Sequence, residues 1–197
     1  MPRSSVQACL FMNDSNAKRK AQKVPRGLET RLAKVRLFLC DVDGILTDSS
    51  VFIGLPDEVK RFHIRDGLGL VMLREQGIKV GWVSKRPSLA TTLRAKELKI
   101  DFLEQNKGGK VEAVENILAK TDFQWNEICY MGDDVVDLGV MQRVAVAATV
   151  ADAVAEAKAA AHYITRANGG RGGVREVVEM ILKAQNKWQN VVAQYSV

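Results

Sequence analysis

A short apolar run that stops abruptly in acid constrains this chain more than any other feature. From Val35 to Asp48 the sequence reads V-R-L-F-L-C-D-V-D-G-I-L-T-D. An apolar, partly β-branched run of this kind is the signature of a strand buried on both faces, as in a parallel sheet. Asp41 and Asp43 therefore stand where a buried strand ends. Carboxylates this close together beside a core repel each other unless a cation, or an incoming phosphate with its counter-ion, neutralises them. A second apolar run, Ile128 to Met131, stops in the same way at Gly132-Asp133-Asp134, with Asp137 just beyond. Two strands ending in carboxylates at one sheet edge make a cluster suited to a hard cation such as Mg²⁺.

Between and after these runs the pattern alternates. Ser49 to Arg65 holds two short apolar or alternating runs around Gly54-Leu55-Pro56-Asp57-Glu58, which predicts a β-hairpin. Asp66-Gly67-Leu68-Gly69 leads into Leu70 to Gln76, apolar at helical spacing and stopped by Gly77. Ile78 to Val83 predicts a strand with Ser84-Lys85-Arg86-Pro87 at its carboxyl end, and Pro87 suits the first turn of a helix over Ser88 to Leu98. A strand over Asp101 to Glu104, a helix from Val111 to Lys120 behind Gly108-Gly109-Lys110, and a short helix from Asp137 to Met141 follow. The last third predicts a strand over Val144 to Ala148, an Ala-rich helix over Val150 to Ala160 and a strand over Tyr163 to Thr165. A Gly/Arg loop from Gly169 to Gly173 then opens an amphipathic helix over Val174 to Gln185. This alternation is the pattern of an α/β fold with a doubly wound, Rossmann-like parallel sheet. In such sheets ligands bind beyond the carboxyl ends of the strands, where Asp41, Asp43, Ser84 and Asp133 fall.

At 197 residues the chain is long enough for one domain with a sizeable core. Its formal charge of +6 would point to nucleic acid if it were spread over the fold. It is not: residues 1–36 carry nine Lys/Arg against two Asp/Glu, and the rest carry twenty against twenty-one. The basicity belongs to a leader, residues 1–33, expected to be flexible and solvated, and no nucleic-acid partner is expected. Ala8 to Met12 is too short for the apolar region of a secretory signal, and no stretch has the length of a membrane span. A transit peptide is the minority reading of this leader. Three cysteines, Cys9, Cys40 and Cys129, show no metal spacing, and the last two lie inside predicted buried strands, so a reduced, cytoplasmic protein is expected. The phosphate-chemistry domain is placed at 34–185 with the hairpin inserted at about 49–65. Residues 186–197 form a tail whose Trp188 and Tyr195 suit packing across a subunit contact.

Taken in chain order, Asp41, Asp43, Ser84, Lys110, Asp133 and Asp137 resemble the four signature motifs of the haloacid dehalogenase superfamily of phosphotransferases. D-V-D-G-I-L-T-D, R-F-H-I-R-D-G-L-G-L, G-D-D-V-V-D-L-G-V-M and G-G-R-G-G-V-R-E resemble more narrowly the 3-deoxy-D-manno-octulosonate 8-phosphate phosphatases and their nonulosonate 9-phosphate relatives. The resemblance spans about Lys34 to Lys183. It implies a Mg²⁺-dependent phosphatase for a phosphorylated sugar acid, serving lipopolysaccharide precursor synthesis, with the hairpin as a minimal cap completed by neighbouring subunits of a homotetramer. Asp41 is then the nucleophile that forms an aspartyl phosphate, and Asp43 the acid and base for the leaving group and water. Ser84 and Lys110 hold the phosphoryl group. Asp41, Asp133 and the Asp43 backbone carbonyl hold Mg²⁺, with Asp134 and Asp137 as direct, water-mediated or outer partners. Arg65, Asp66 and Gly67 after the hairpin, Arg86, and Arg171 and Arg175 near the last helix are candidates for the organic part of the substrate, because a Gly-rich loop with Arg at a helix start suits an anion. Two positions depart from the family pattern: Ser84-Lys85-Arg86 replaces the common Thr-Gly-Arg, and Ser49 stands where glycine is common.

Plainer readings compete. Asp-x-Asp pairs occur in Ca²⁺ loops, but a buried run precedes these acids and the glutamate such a loop requires is replaced by Phe52. Ser84 alone reads as a helix cap and Lys110 alone as a solvated lysine. His63 reads as a strand surface residue, His162 as unremarkable, and Trp82 and Trp125 as packing. A phosphoacceptor receiver module uses nearly the same parts, but it needs neither Asp43 nor the hairpin. An inactive assembly subunit is the remaining alternative, although every essential acid is present.

Overall fold

The computed structural model describes residues 26–52 and 58–196. Six parallel strands form one sheet: β1 (Leu37–Cys40), β2 (Lys79–Ser84), β3 (Phe102–Gln105), β4 (Ile128–Met131), β5 (Val146–Thr149) and β6 (Tyr163–Ile164), in the order β3-β2-β1-β4-β5-β6. Helices α1 (Arg26–Leu32), α2 (Ile64–Glu75), α3 (Leu89–Glu97), α4 (Lys110–Leu118), α5 (Leu138–Met141), α6 (Ala155–Ala160), α7 (Gly173–Ala184) and α8 (Trp188–Gln194) cover it. Every residue of β1, β4 and β5 is buried, which is why they read as continuous apolar runs and not as alternating ones.

The chain winds outward one way from β1 through β2 to β3, then returns beside β1 and winds the other way through β4, β5 and β6. The reversal lies between β1 and β4, and a crevice forms at such a point. Register then fixes what meets there. Leu37 pairs with Ile128 and Cys40 with Met131, so the two strands end level, and the Asp41 amide donates to the Met131 carbonyl at 2.9 Å. The acids that follow each strand are neighbours as a consequence of strand length alone.

The doubly wound sheet is as the sequence predicts; several boundaries are not. Arg26–Leu32, inside the expected leader, is helical, because Leu28 and Leu32 lie one turn apart and are both buried. The tail contains a helix, α8, that packs on the chain itself: Val191 is buried, and Arg175 and Lys183 lie over the Trp188 ring at 5.3 and 5.2 Å. Lys187 Nζ donates to the Gln76 carbonyl. Of the predicted hairpin, the described residues show one antiparallel bridge, Phe52 with Val59; the turn at Gly54-Leu55-Pro56-Asp57 lies outside them. Its second run was expected to reach Arg65, but His63 is the extended N-cap of α2, which starts at Ile64. Ser88 caps α3 by accepting from the Thr91 amide, so Pro87 lies outside that helix. The Ala-rich helix starts only at Ala155, since Asp152 is turned to accept from the Gly169 amide.

Candidate active site

Asp41, at the carboxyl end of β1, is 7% exposed and accepts from the Val42 amide at 2.7 Å. Lys110 opens α4, and its ammonium, nearly out of solvent, stands 2.6 Å from Asp41 Oδ2 and 2.6 Å from Asp137 Oδ1. Asp137 is fully buried and takes four donors: Lys110 Nζ and Tyr130 OH on Oδ1, and the Asp133 and Asp134 amides on Oδ2. A carboxylate has about four lone-pair sites, so this one is saturated by the protein. Asp133 differs. Its Oδ1 is buried without a hydrogen-bond partner, and its Oδ2 lies where a Cβ at Gly44 would stand, 1.9 Å away. Gly44, at φ 95°, is therefore required twice over, for backbone conformation and for room. Thr47 ties this turn down, its hydroxyl accepting from the Gly44 amide and donating to the Val42 carbonyl.

Burial drives the electrostatics. It lifts Asp41 to about 6, with the Asp137 charge adding and Lys110 opposing. It lifts Asp133 to about 7, helped by the charges of Asp41 and Asp137. Burial alone would lower Lys110, but the two carboxylates beside it outweigh this and raise its pKa. Oxygens of Asp41, Asp133 and Asp137 lie within 4.8 Å of one another. An unpaired buried oxygen among mutually repelling carboxylates fits a small hard cation.

Above this cluster opens a cleft of about 450 Å³ whose wall includes Asp41, Asp43, Ser84, Lys110, Asp133 and Asp134. Ser84 ends β2 as the strand leaves the core, its hydroxyl closing a turn with the Arg86 backbone. Asp134 is exposed and accepts from the Val135 amide. Ser49 and Val51 also reach the cleft, and Ser49 sits at φ 62°, the left-handed conformation that glycine adopts freely.

The expected substrate group is not brought together. Asp66 is buried in the first turn of α2 and accepts from the Gly172 amide at 3.1 Å and the Arg175 amide at 2.7 Å. Burial raises its pKa against these bonds. The anion seat predicted at the Gly/Arg loop therefore exists, and the chain's own Asp66 fills it. Gly67 packs beneath Arg94, where a Cβ would stand 2.4 Å from Nη2 at the end of that side chain. Arg175 pairs with Glu179 at 3.0 Å and lies over Trp188. Arg65 is exposed on α2. Arg171 stays near the first-motif loop, 3.6 Å from Asp48 Oδ2, and Arg86 stays on the cleft wall in an ion pair with Glu58. His63 leans on Asp66, and His162 Nδ1 accepts from the Ala147 amide.

Sequence reasoning missed Glu58, Lys60 and Tyr130. Lys60 Nζ reaches both oxygens of Asp43, at 2.7 and 2.9 Å. The signal for it was present: Glu58, Lys60 and Phe62 alternate along an extended segment and so share a face. A tyrosine inside a fully buried strand likewise demands a hydroxyl partner, which Asp137 is.

Residues 84–178 match the family model described as haloacid dehalogenase-like hydrolase. The 3-deoxy-D-manno-octulosonate 8-phosphate phosphatase of Yersinia pestis is 40% identical over 158 residues, 80% of this chain and 84% of that one. The corresponding Moraxella catarrhalis structure, in complex with a magnesium ion, a phosphate ion and a KDO molecule, has a TM-score of 0.83 at 34% identity and covers 86% of this chain and 98% of its own. A cobalt-bound deoxy-D-mannose-octulosonate 8-phosphate phosphatase structure from Haemophilus influenzae has a TM-score of 0.77 at 34% identity, covering 80% and 93%. With the acids of β1 and β4, Ser84 and Lys110 in one cleft and relatives of this similarity over most of its length, the chain belongs to the 3-deoxy-D-manno-octulosonate 8-phosphate phosphatase family of haloacid dehalogenase-like hydrolases.

Proposed function

We propose that this protein hydrolyses 3-deoxy-D-manno-octulosonate 8-phosphate with Mg²⁺ through an aspartyl phosphate on Asp41. The observation that carries this reading is the buried acid group at the β1–β4 reversal, with Asp133 Oδ1 lacking any partner and Lys110 already placed against Asp41. Asp41 and Asp133, with the Asp43 carbonyl, would hold the metal, and exposed Asp134 would act through water. Saturated Asp137 would instead position Lys110 and the 133–134 turn. Bound there, Mg²⁺ supplies the charge neutralisation that lets an anionic nucleophile approach an anionic phosphoryl group.

The chain's own residues do the rest. An Asp41 oxygen forms a bond to phosphorus as the bond to the sugar oxygen breaks, and Asp43 gives that oxygen its proton. Asp43 then takes a proton from the water that attacks the phosphoenzyme, returning Asp41 free. Lys110 and the Ser84 hydroxyl meet the non-bridging oxygens. Arg86 on the cleft wall, and Arg171 beside Asp48 of the first-motif loop, are the cations for the sugar-acid portion.

Family resemblance supports a homotetramer in which a neighbouring subunit would complete the cleft. Among the described residues no helix is long and apolar enough to cross a membrane. Phosphate release should be measured from 3-deoxy-D-manno-octulosonate 8-phosphate, nonulosonate 9-phosphates and simple sugar phosphates, with and without EDTA. Preference for the eight-carbon acid is expected. Preference for a nine-carbon acid moves the enzyme to nonulosonate synthesis with the same mechanism, and no release from any substrate overturns the phosphatase reading in favour of a receiver module or an inactive subunit.

A further inference from the structure

The segment Glu58-Val59-Lys60-Arg61-Phe62 alternates, and extended backbone sends alternate side chains to opposite sides. Val59 and Arg61 face solvent, at 44% and 50% exposure, while Phe62 turns inward and stacks on the buried Trp82 ring at 6.2 Å. Lys60 shares the inward side, so its ammonium is carried into the protein, with only 2% of the side chain exposed. A buried ammonium needs anionic partners. It has two: Asp43, through both oxygens, and Glu58 at 3.3 Å, which is itself paired to Arg86. Lys60 forms no part of the cleft wall, whereas Asp43 does.

We propose that Lys60 is a positioning residue that acts on the reaction through Asp43. The inference rests on the reading of Asp43 as the proton donor to the leaving group. Asp43 sits on a turn and is 29% exposed, so nothing in its own packing fixes its two side-chain torsions. Contact with both oxygens fixes them, and proton transfer depends on placement within a fraction of an ångström. Negative charge also grows on Asp43 as its proton passes to the leaving oxygen. An ammonium already at 2.7 Å meets that charge without reorganisation, while Lys60 keeps its own protons throughout.

Help to a leaving group matters most when that group is poor. The test is kcat/KM for p-nitrophenyl phosphate and for phenyl phosphate, whose leaving group is much more basic, with the full-length protein and saturating Mg²⁺. Lys60→Gln should lose roughly tenfold or more on phenyl phosphate and under about threefold on p-nitrophenyl phosphate, whereas Lys60→Arg should recover most of the loss. Activity on p-nitrophenyl phosphate reports an intact fold, and partly wetted Asp43 is not left as a buried unpaired charge. Asp43→Asn, measured in parallel, separates the two ideas. Leaving-group sensitivity in Asp43→Asn but not in Lys60→Gln overturns the role of Lys60 and leaves the proton donor standing. Insensitivity of both variants overturns the proton-donor reading, and the role of Lys60 with it.

Discussion

Two regions of this protein bury carboxylates, and they have opposite fates. At the α2–α7 junction Asp66 is more deeply buried than Asp41, but the Gly172 and Arg175 amides answer it. At the β1–β4 reversal Asp133 keeps a buried oxygen that no protein group answers, and Asp41 shares its lysine with Asp137. Both regions are built from a helix start beside a Gly-rich loop, and both raise a carboxyl pKa through burial. Burial of an acid, then, is no mark of function; burial without enough donors is. In the first region backbone amides satisfy the acid, and the second holds a repulsion that a cation would relieve.

The sharpest way to break this contrast is to remove the carboxylate on each side. Asp41→Asn should lower phosphate release by about a thousandfold or more while the far-UV spectrum stays native, because in the proposed mechanism it removes the nucleophile. Near-normal turnover would sink the nucleophile. Asp66→Ala should do the reverse. Losing two charge-assisted hydrogen bonds at a helix N-terminus should cost about 2 kcal/mol in denaturant unfolding, with kcat changed less than about threefold. A large rise in KM with unaltered stability would return Asp66 to the substrate.

A gentler test uses pH and metal. The folded pKa values of Asp41 and Asp133, about 6 and about 7, lie above the ordinary carboxylate value near 3.9. A raised folded value makes the pair's contribution fully present below about pH 4 and lost as pH climbs through these two values. The metal-free protein should therefore melt at lower temperature at about pH 8 than at about pH 5, and Mg²⁺ should raise the midpoint more at the higher pH. Equal Mg²⁺ shifts at both would contradict a cation seated on these two acids. Smallest of all, Ser49→Gly should stabilise by roughly 1 kcal/mol, by relieving a left-handed serine at the cleft.

The contrast also explains what the sequence could and could not reveal. Asp41 and Asp133 were legible because a fully buried strand leaves an unbroken apolar run, and acid at its end is conspicuous. The surroundings of Asp66 were not legible because its partners lie more than a hundred residues away and are backbone amides, which carry no residue signature. Charge composition hid α1, since two buried leucines weigh little among the basic residues of the leader. The tail was legible as apolar, but its partner face, on α2 and α7 of the same chain, was not.

The close approach of Gly169 and Gly170 to the first-motif turn has a temporal consequence. A side chain on Gly169 would collide with the Gly44 carbonyl at 1.8 Å, and one on Gly170 with the Thr47 backbone at 2.6 Å. Main chain from late in the sequence is thus laid directly on the loop that follows Asp43. A ribosome delivers that loop before its backing, so a nascent chain carries Asp41 for a time without the surface that shapes its turn. The turn after Asp43 should therefore take its final shape only once residues 169–170 are in place.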